Sequence, residues 1–95
     1  MISFSHYTFK DCYNLNLSSL PTNLWFINPY TFSRCSNLSL TSLPSTLEYV
    51  GNRSFEYCKG LTSLSCSGSL ELNSYTFNGD TNLTTVNFPN TVQLA

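Results

Sequence analysis

The chain has 95 residues and a formal net charge of -1, and only 9% of its residues are charged. This length fits one small domain, and the scarcity of basic residues excludes the electrostatic footprint of a protein that binds nucleic acid or an anionic membrane. Because aromatic and aliphatic residues are abundant and evenly spread, the composition also excludes a disordered chain. No apolar run is long enough for a membrane span, and the N-terminal MISFSHYTF lacks the pattern of a secretory signal.

Phenylalanine recurs at a nearly fixed interval. Phe9, Phe32, Phe55 and Phe77 stand 23, 23 and 22 residues apart. The residue three positions later is Cys12, Cys35, Cys58 or Asp80, and the residue six positions later is Leu15, Leu38, Leu61 or Leu83. Matched columns at a period of this size indicate a repeat protein, in which each unit buries its apolar edge only by stacking on its neighbours.

In chain order, the pattern predicts a partial unit over 1–8, full units over 9–31, 32–54 and 55–76, and a partial unit over 77–95, all in one array. The segment PSTLEYV predicts a turn followed by an extended piece, and GNRSFEYC predicts a tight turn that leads into one helical turn. LTTVNFP predicts a short strand that ends at Pro89. Without a sustained helical period, we expect a parallel ladder of short strands, one stacked on the next.

The same columns resemble those of the BspA-like leucine-rich repeat. Its units read roughly aF..C..L..I.LP..l..I, and the unit around Phe32 contains TFSRCSNL followed by LP, L and V. Asp80 in place of cysteine, Ser67 in place of proline and a shorter third unit depart from this pattern. The resemblance implies a curved, β-rich leucine-rich-repeat solenoid of about 23 residues per unit. Such repeats occur in surface and adhesion proteins of bacteria and anaerobic protists and work by binding.

Four cysteines and one histidine raise the questions of disulfides, metal and catalysis. The constant cysteine spacing favours reduced thiols that fill the core, with a disulfide or a metal site as alternatives. The single histidine, His6, has no nucleophile beside it in a catalytic pattern, the acidic residues occupy different columns, and no glycine-rich phosphate loop is present. We therefore predict a protein that is not an enzyme and has no catalytic, metal or cofactor-binding residues.

Two sets of residues are candidates for binding. Two positions before each phenylalanine stand Tyr7, Tyr30, Arg53 and Tyr75. Tyrosine and arginine are favoured at interfaces, although such a stack would equally shield the edge of the core. The second set is the outward face of the strand before the proline, predicted to comprise Leu17, Ser19, Leu40, Ser42, Ser63, Ser65, Thr85 and Asn87, with Val86 and Phe88 inward.

The two leucines of the second set have two interpretations. Exposed, Leu17 and Leu40 would form a small apolar patch suited to a contact. A one-residue slip of register, or a bulge, would instead bury them and turn Ser18 and Thr41 outward, and we favour this interpretation.

These observations predict a non-catalytic, adhesion-type binding module whose partner is a protein or a cell-surface or matrix component. The alternative is a structural spacer that recognises nothing. No polar cap is visible at either end, so we expect a segment of a longer array or end-to-end self-association. The residues themselves leave the location open between the inside of the cell and the exterior. The resemblance implies the cell surface or secretion, where the sequons at Asn16, Asn37, Asn52 and Asn82 would matter.

Overall fold

The computed structural model describes residues 2–90 and the backbone of residues 92–93, and it consists of short strands joined by turns. The strands are β1 (Ile2–Phe4), β2 (Leu24–Ile27), β3 (Tyr49–Val50), β4 (Ser63–Ser65), β5 (Glu71–Leu72), β6 (Thr85–Asn87) and β7 (Val92–Gln93). Every strand pair is parallel, which confirms the predicted parallel ladder. In this part of the chain, no helix is long and apolar enough to cross a membrane.

The segment after Gly51 forms a series of turns, so the helical turn predicted there is wrong. Arg53 and Tyr57 have φ angles of 57° and 56°, in the left-handed region. A right-handed helix needs a negative φ at each residue. Two left-handed residues four positions apart therefore exclude even one regular helical turn.

The larger sheet has five strands in the order β1-β2-β3-β5-β7. Its register places Phe4 opposite Ile27, Ile27 opposite Val50, and Val50 opposite Leu72. These are the apolar residues that stand five positions before each phenylalanine of the repeat. The sequence columns are therefore rows of neighbouring residues across the sheet.

The smaller sheet contains only β4 and β6. Leu64 pairs with Val86, and a single bridge joins Ser42 to Ser65 on the other side of β4. The pairing stops short because the units differ in register. Two consecutive outward residues follow Leu40 in one unit, whereas in the next unit two outward residues precede Leu64.

This difference in register decides the position of Leu40. Its side chain is 1% exposed and belongs to the core, so Leu40 is wrong as an outward binding candidate. Thr41 faces solvent instead, as the slip of register predicts, and Ser42 is exposed as well. Leu17 is half-buried and packs against the same core.

The phenylalanine column forms the centre of the core. The rings of Phe9 and Phe32, Phe32 and Phe55, and Phe55 and Phe77 stack with centroids 5.3, 5.2 and 5.9 Å apart. Offset stacks of this kind add about 0.5–1.5 kcal/mol per pair to the burial of the rings. The leucine column, including Leu38 and Leu61, packs in the same cluster.

The cysteines are free thiols with a role beyond filling space. The thiol of Cys35 donates to the carbonyl oxygen of Phe9 at 3.1 Å, and the thiol of Cys58 donates to that of Phe32 at 3.2 Å. Each thiol therefore satisfies a backbone acceptor of the preceding turn. Burial of Cys35, Cys58 and Cys66 confirms their predicted place in the core.

Polar side chains also join neighbouring units. The amide nitrogens of Asn28 and Asn73 donate to the carbonyl oxygens of Phe4 at 2.8 Å and Val50 at 3.1 Å. The hydroxyl of Thr46 donates to the carbonyl oxygen of Leu24 at 2.8 Å. Because a buried backbone carbonyl without a partner is costly, these bonds favour the observed stacking of units.

Candidate functional site

The tyrosine-arginine column, which comprises Tyr7, Tyr30, Arg53 and Tyr75, forms a stripe along the surface. The rings of Tyr7 and Tyr30 stack with centroids 5.0 Å apart and planes inclined by 23°. The Arg53 guanidinium lies 4.6 Å from the centre of the Tyr75 ring, in a cation–π contact. Tyr7 and Tyr75 are 54% and 62% exposed, so the stripe is accessible to a partner.

The backbone holds this column in an unusual conformation. All four members have φ angles between 57° and 64°. The left-handed region costs a residue other than glycine about 1–2 kcal/mol, whereas glycine adopts it freely. The column therefore carries large side chains at positions where glycine would be free of this backbone cost.

Glu56 fixes the arginine of the column. Its side chain is buried and accepts a hydrogen bond from the Ser33 hydroxyl at 2.8 Å. It also forms an ion pair with Arg53 at 3.1 Å. The hydrogen bond that Arg53 donates to the Glu56 carboxylate raises the pKa of the Arg53 guanidinium above its ordinary value. Arg53 is thus held by a carboxylate at one guanidinium nitrogen while the guanidinium lies over the Tyr75 ring.

Several of the predicted outward strand residues lie side by side in neighbouring units. Ser63 pairs with Thr85 and Ser65 with Asn87 across the smaller sheet. Ser42, Ser65 and Asn87 contribute to the lining of a hollow of about 240 Å³. Ser19 is exposed. The serine, threonine and asparagine members of this face offer hydrogen bonds, whereas Leu17 is half-buried against the core.

Val86 differs from its prediction. It lies opposite the buried Leu64, yet its side chain is 50% exposed. Among the described residues no further strand of the smaller sheet pairs beyond β6, and this leaves Val86 uncovered. Phe88 packs against the core, as predicted.

Comparison with known families decides the classification. The family model for the BspA type leucine-rich repeat region matches residues 2–94 in six copies. The chain belongs to the BspA-type leucine-rich repeat family. Leucine-rich repeats are in general non-catalytic modules that mediate protein interactions. No curated protein and no solved structure matches the chain.

Two further columns of the BspA-type repeat line a hollow that the sequence analysis did not predict. They lie two and four positions after each phenylalanine, and they contribute Arg34 and Tyr57, and Tyr13, Ser36 and Lys59, to the lining of a hollow of about 290 Å³. We call this feature the cationic hollow. Its residues differ from unit to unit, so a search for matched columns passes over them. Variation at a fixed position of an otherwise constant repeat is the signal that indicates it.

A second hollow of this BspA-type chain, of about 570 Å³, was also not anticipated. Its lining includes Trp25, Glu48 and Glu71. The two carboxylates make it acidic. In the part of the chain that the structure describes, no group of three or more metal-ligating side chains is present.

Proposed function

We propose that this leucine-rich repeat is a non-catalytic protein-binding module that recognises its partner through the tyrosine-arginine column. The observation that carries the proposal is the exposure of large aromatic side chains at left-handed positions, which glycine would fill without strain. Tyrosine and arginine are enriched among the residues that dominate the energetics of protein interfaces, and tyrosine buries much surface while it loses little rotamer freedom. The family's general role in protein interaction supports the same conclusion.

Rigidity of the column favours binding. Stacking of Tyr7 on Tyr30 and anchoring of Arg53 by Glu56 restrict these side chains before a partner arrives. Ordering a side chain on association costs about 0.5–1.5 kcal/mol, and a side chain already ordered avoids much of that loss. The polar face around Ser42, Ser65 and Asn87 would supply hydrogen bonds to the same partner or to water.

The proposal extends to the architecture around the site. We take the chain as a single array with units over 9–31, 32–54 and 55–76 and partial units at 1–8 and 77–95, in a curved solenoid of about 23 residues per unit. Placement at the cell surface or outside the cell, an adhesion role, and end-to-end contact between copies belong to this proposal. Residues that pair across the larger sheet, such as Ile27 and Val50, are 23 positions apart in the sequence, and this separation supports the unit length.

The test is a paired exchange at the two exposed tyrosines. Tyr7→Asn and Tyr75→Asn remove the rings, and asparagine tolerates the left-handed backbone better than most residues. A fixed amount of native surface extract is passed over immobilised wild type, the double variant, and a control with Ser18→Ala and Thr41→Ala, which are exposed and outside the column. The retained proteins are quantified by mass spectrometry.

Binding through the column predicts that a partner retained by the wild type and by the control is lost from the double variant. Circular dichroism of all three proteins serves as the control that the substitutions leave the fold unchanged. A structural spacer predicts instead that the double variant retains everything that the wild type retains, or that none of the three retains a partner. Either result contradicts the proposal.

A further inference from the structure

The cationic hollow contains basic side chains that no ion pair in the described chain neutralises. It is lined by Tyr13, Arg34, Ser36, Tyr57 and Lys59. The chain has four lysine and arginine residues. Within the described residues, Lys10 pairs with Asp11 and Arg53 pairs with Glu56, each at 3.1 Å. The two cations that make no ion pair in this part of the chain, Arg34 and Lys59, both line the same hollow.

The hollow has preorganised walls. Tyr57 lies against Gly79, where a Cβ atom would clash with the Cδ1 atom of the ring. Gly79 has a φ of 75°, so glycine at this position allows both the left-handed backbone and the close approach of the ring. The Arg34 guanidinium then lies 5.5 Å from the centre of the Tyr57 ring. The cation is therefore positioned by a ring that the next unit supports.

Lys59 and Tyr13 complete the hollow. The Lys59 ammonium donates to the Thr81 hydroxyl at 3.3 Å, which leaves its other two protons free for a ligand. Tyr13 is 55% exposed and offers an apolar face beside the two cations. An arginine fork with a neighbouring ammonium matches the two oxygens of a carboxylate, and the tyrosine ring covers the aliphatic part of an acidic side chain.

We propose that the cationic hollow binds an acidic segment of a protein, and that it takes a glutamate or aspartate side chain between Arg34 and Lys59. A volume of about 290 Å³ suits one such side chain with its flanking backbone. This inference rests on the proposed function in one respect only, since it takes the ligand from a protein partner. The hollow is separate in sequence position from the tyrosine-arginine column, so each is testable without the other.

The experiment titrates the isotopically labelled chain with a synthetic peptide of alternating glutamate and glycine and follows backbone amide shifts by NMR. A peptide with glutamine in place of glutamate is the matched probe. We expect saturable shifts at Arg34, Tyr57 and Lys59 with the glutamate peptide and none with the glutamine peptide. Raising NaCl from about 50 to about 500 mM should weaken binding, because exposed charges are screened.

Variants locate the binding. Arg34→Ala with Lys59→Ala should weaken the affinity for the glutamate peptide by about tenfold or more, because charge-assisted hydrogen bonds are lost. Lys10→Ala removes the same type of charge from outside the hollow and should stay within about twofold, because surface pairs contribute little. Arg34→Glu with Lys59→Glu should transfer binding to a peptide of alternating lysine and glycine, which distinguishes a lost site from a lost fold.

Absence of shifts at these amides, or equal binding by the Ala variant, overturns the inference. Shifts that depend on protein concentration alone overturn it in favour of a second copy of this chain. If the peptide fails while the column variants Tyr7→Asn and Tyr75→Asn still abolish capture of a native partner, only the cationic hollow is wrong. If the wild type captures no native partner, or if the column variants capture it equally well, the proposed function is wrong as a separate result.

Discussion

The middle and the last unit place the same residue types in different surroundings. Phe32 and Phe55 are 0% exposed, whereas Phe77, which is stacked on Phe55, is only partly buried. The leucine column shows the same contrast between Leu61 and Leu83. A residue of this repeat therefore stabilises the fold in proportion to what covers it on both sides, and not according to its identity alone.

The largest effect should come from the phenylalanine column. Phe55→Ala should lower the free energy of unfolding by about 3–5 kcal/mol, because it leaves a cavity between two stacked rings. Phe77→Ala should lower it by about half as much, since part of that ring already faces solvent. Denaturant unfolding measures both. Equal losses would show that coverage by neighbours does not control the contribution, and Phe55→Leu provides a milder check if Phe55→Ala does not fold.

The cysteine column sharpens the comparison. Cys58→Asp should lower the free energy of unfolding by about 1–3 kcal/mol or more, because a carboxyl group replaces a buried thiol that donates to Phe32. The last unit already carries Asp80 at the corresponding position. Cys58→Ser, which keeps a donor, is the control and should be milder. An unchanged unfolding midpoint for Cys58→Asp would mean that the middle turn admits water.

The buried carboxyl group of Asp80 should make the free energy of unfolding depend on pH. Burial raises its pKa to about 7 from 3.8, while the N–H of Cys58 at 2.7 Å and the nearby Lys59 lower it and Glu56 raises it further. Because the folded pKa is the higher one, the folded chain keeps a proton that the unfolded chain releases. This contribution to stability is fully present below the ordinary pKa of 3.8 and is lost as the pH rises through about 7.

Unfolding of wild type and Asp80→Asn should be compared from about pH 4 to about pH 8. The variant keeps an acceptor for Cys58 and carries no titrating group, so the difference in stability should change with pH in the variant's favour as the pH rises. A difference that stays constant across this range would contradict the raised pKa. Arg34→Gln is a control for a charge change outside the buried turn.

The smallest effect should come from the exposed end of the tyrosine-arginine column. Tyr7→Asn should lower the free energy of unfolding by about 0.5–1 kcal/mol, the value of one aromatic stack at the surface. Tyr30→Asn should lower it more, since Tyr30 is partly buried and lies in the interior of the array. Thermal unfolding measures the difference. A larger loss for Tyr7 would reverse the comparison between covered and uncovered units.

The columns that repeat were predictable from the sequence, and the columns that vary were not. The spacing of Phe32, Cys35 and Leu38 revealed the core because burial demands the same apolar residue in each unit. Outward positions carry no such demand. The tyrosine-arginine column was found because three of its members coincide, whereas Arg34 and Tyr57 share a column with Asp11 and Gly79 and gave no match.

Register and turn conformation were the other limits. Leu40 and Ser63 occupy equivalent positions by count, yet only Leu40 is buried, because the two outward residues come at different points of the two units. A slip of one residue is decided by packing along the whole strand, which a single sequence leaves open. The left-handed angles at Tyr30 and Arg34 were hidden because glycine, the usual marker of that region, is absent from both.

The buried thiols that donate hydrogen bonds from one turn to the next allow local opening of the array to be measured by alkylation. Thiolate is the reactive form, and burial raises the pKa of Cys35 to about 11 and that of Cys58 higher still. Cys12 is only half-buried. An alkylating reagent should therefore label Cys12 in the folded chain and reach Cys35 and Cys58 only when a turn separates from its neighbour. The order and rate of labelling would then record, unit by unit, where local opening begins.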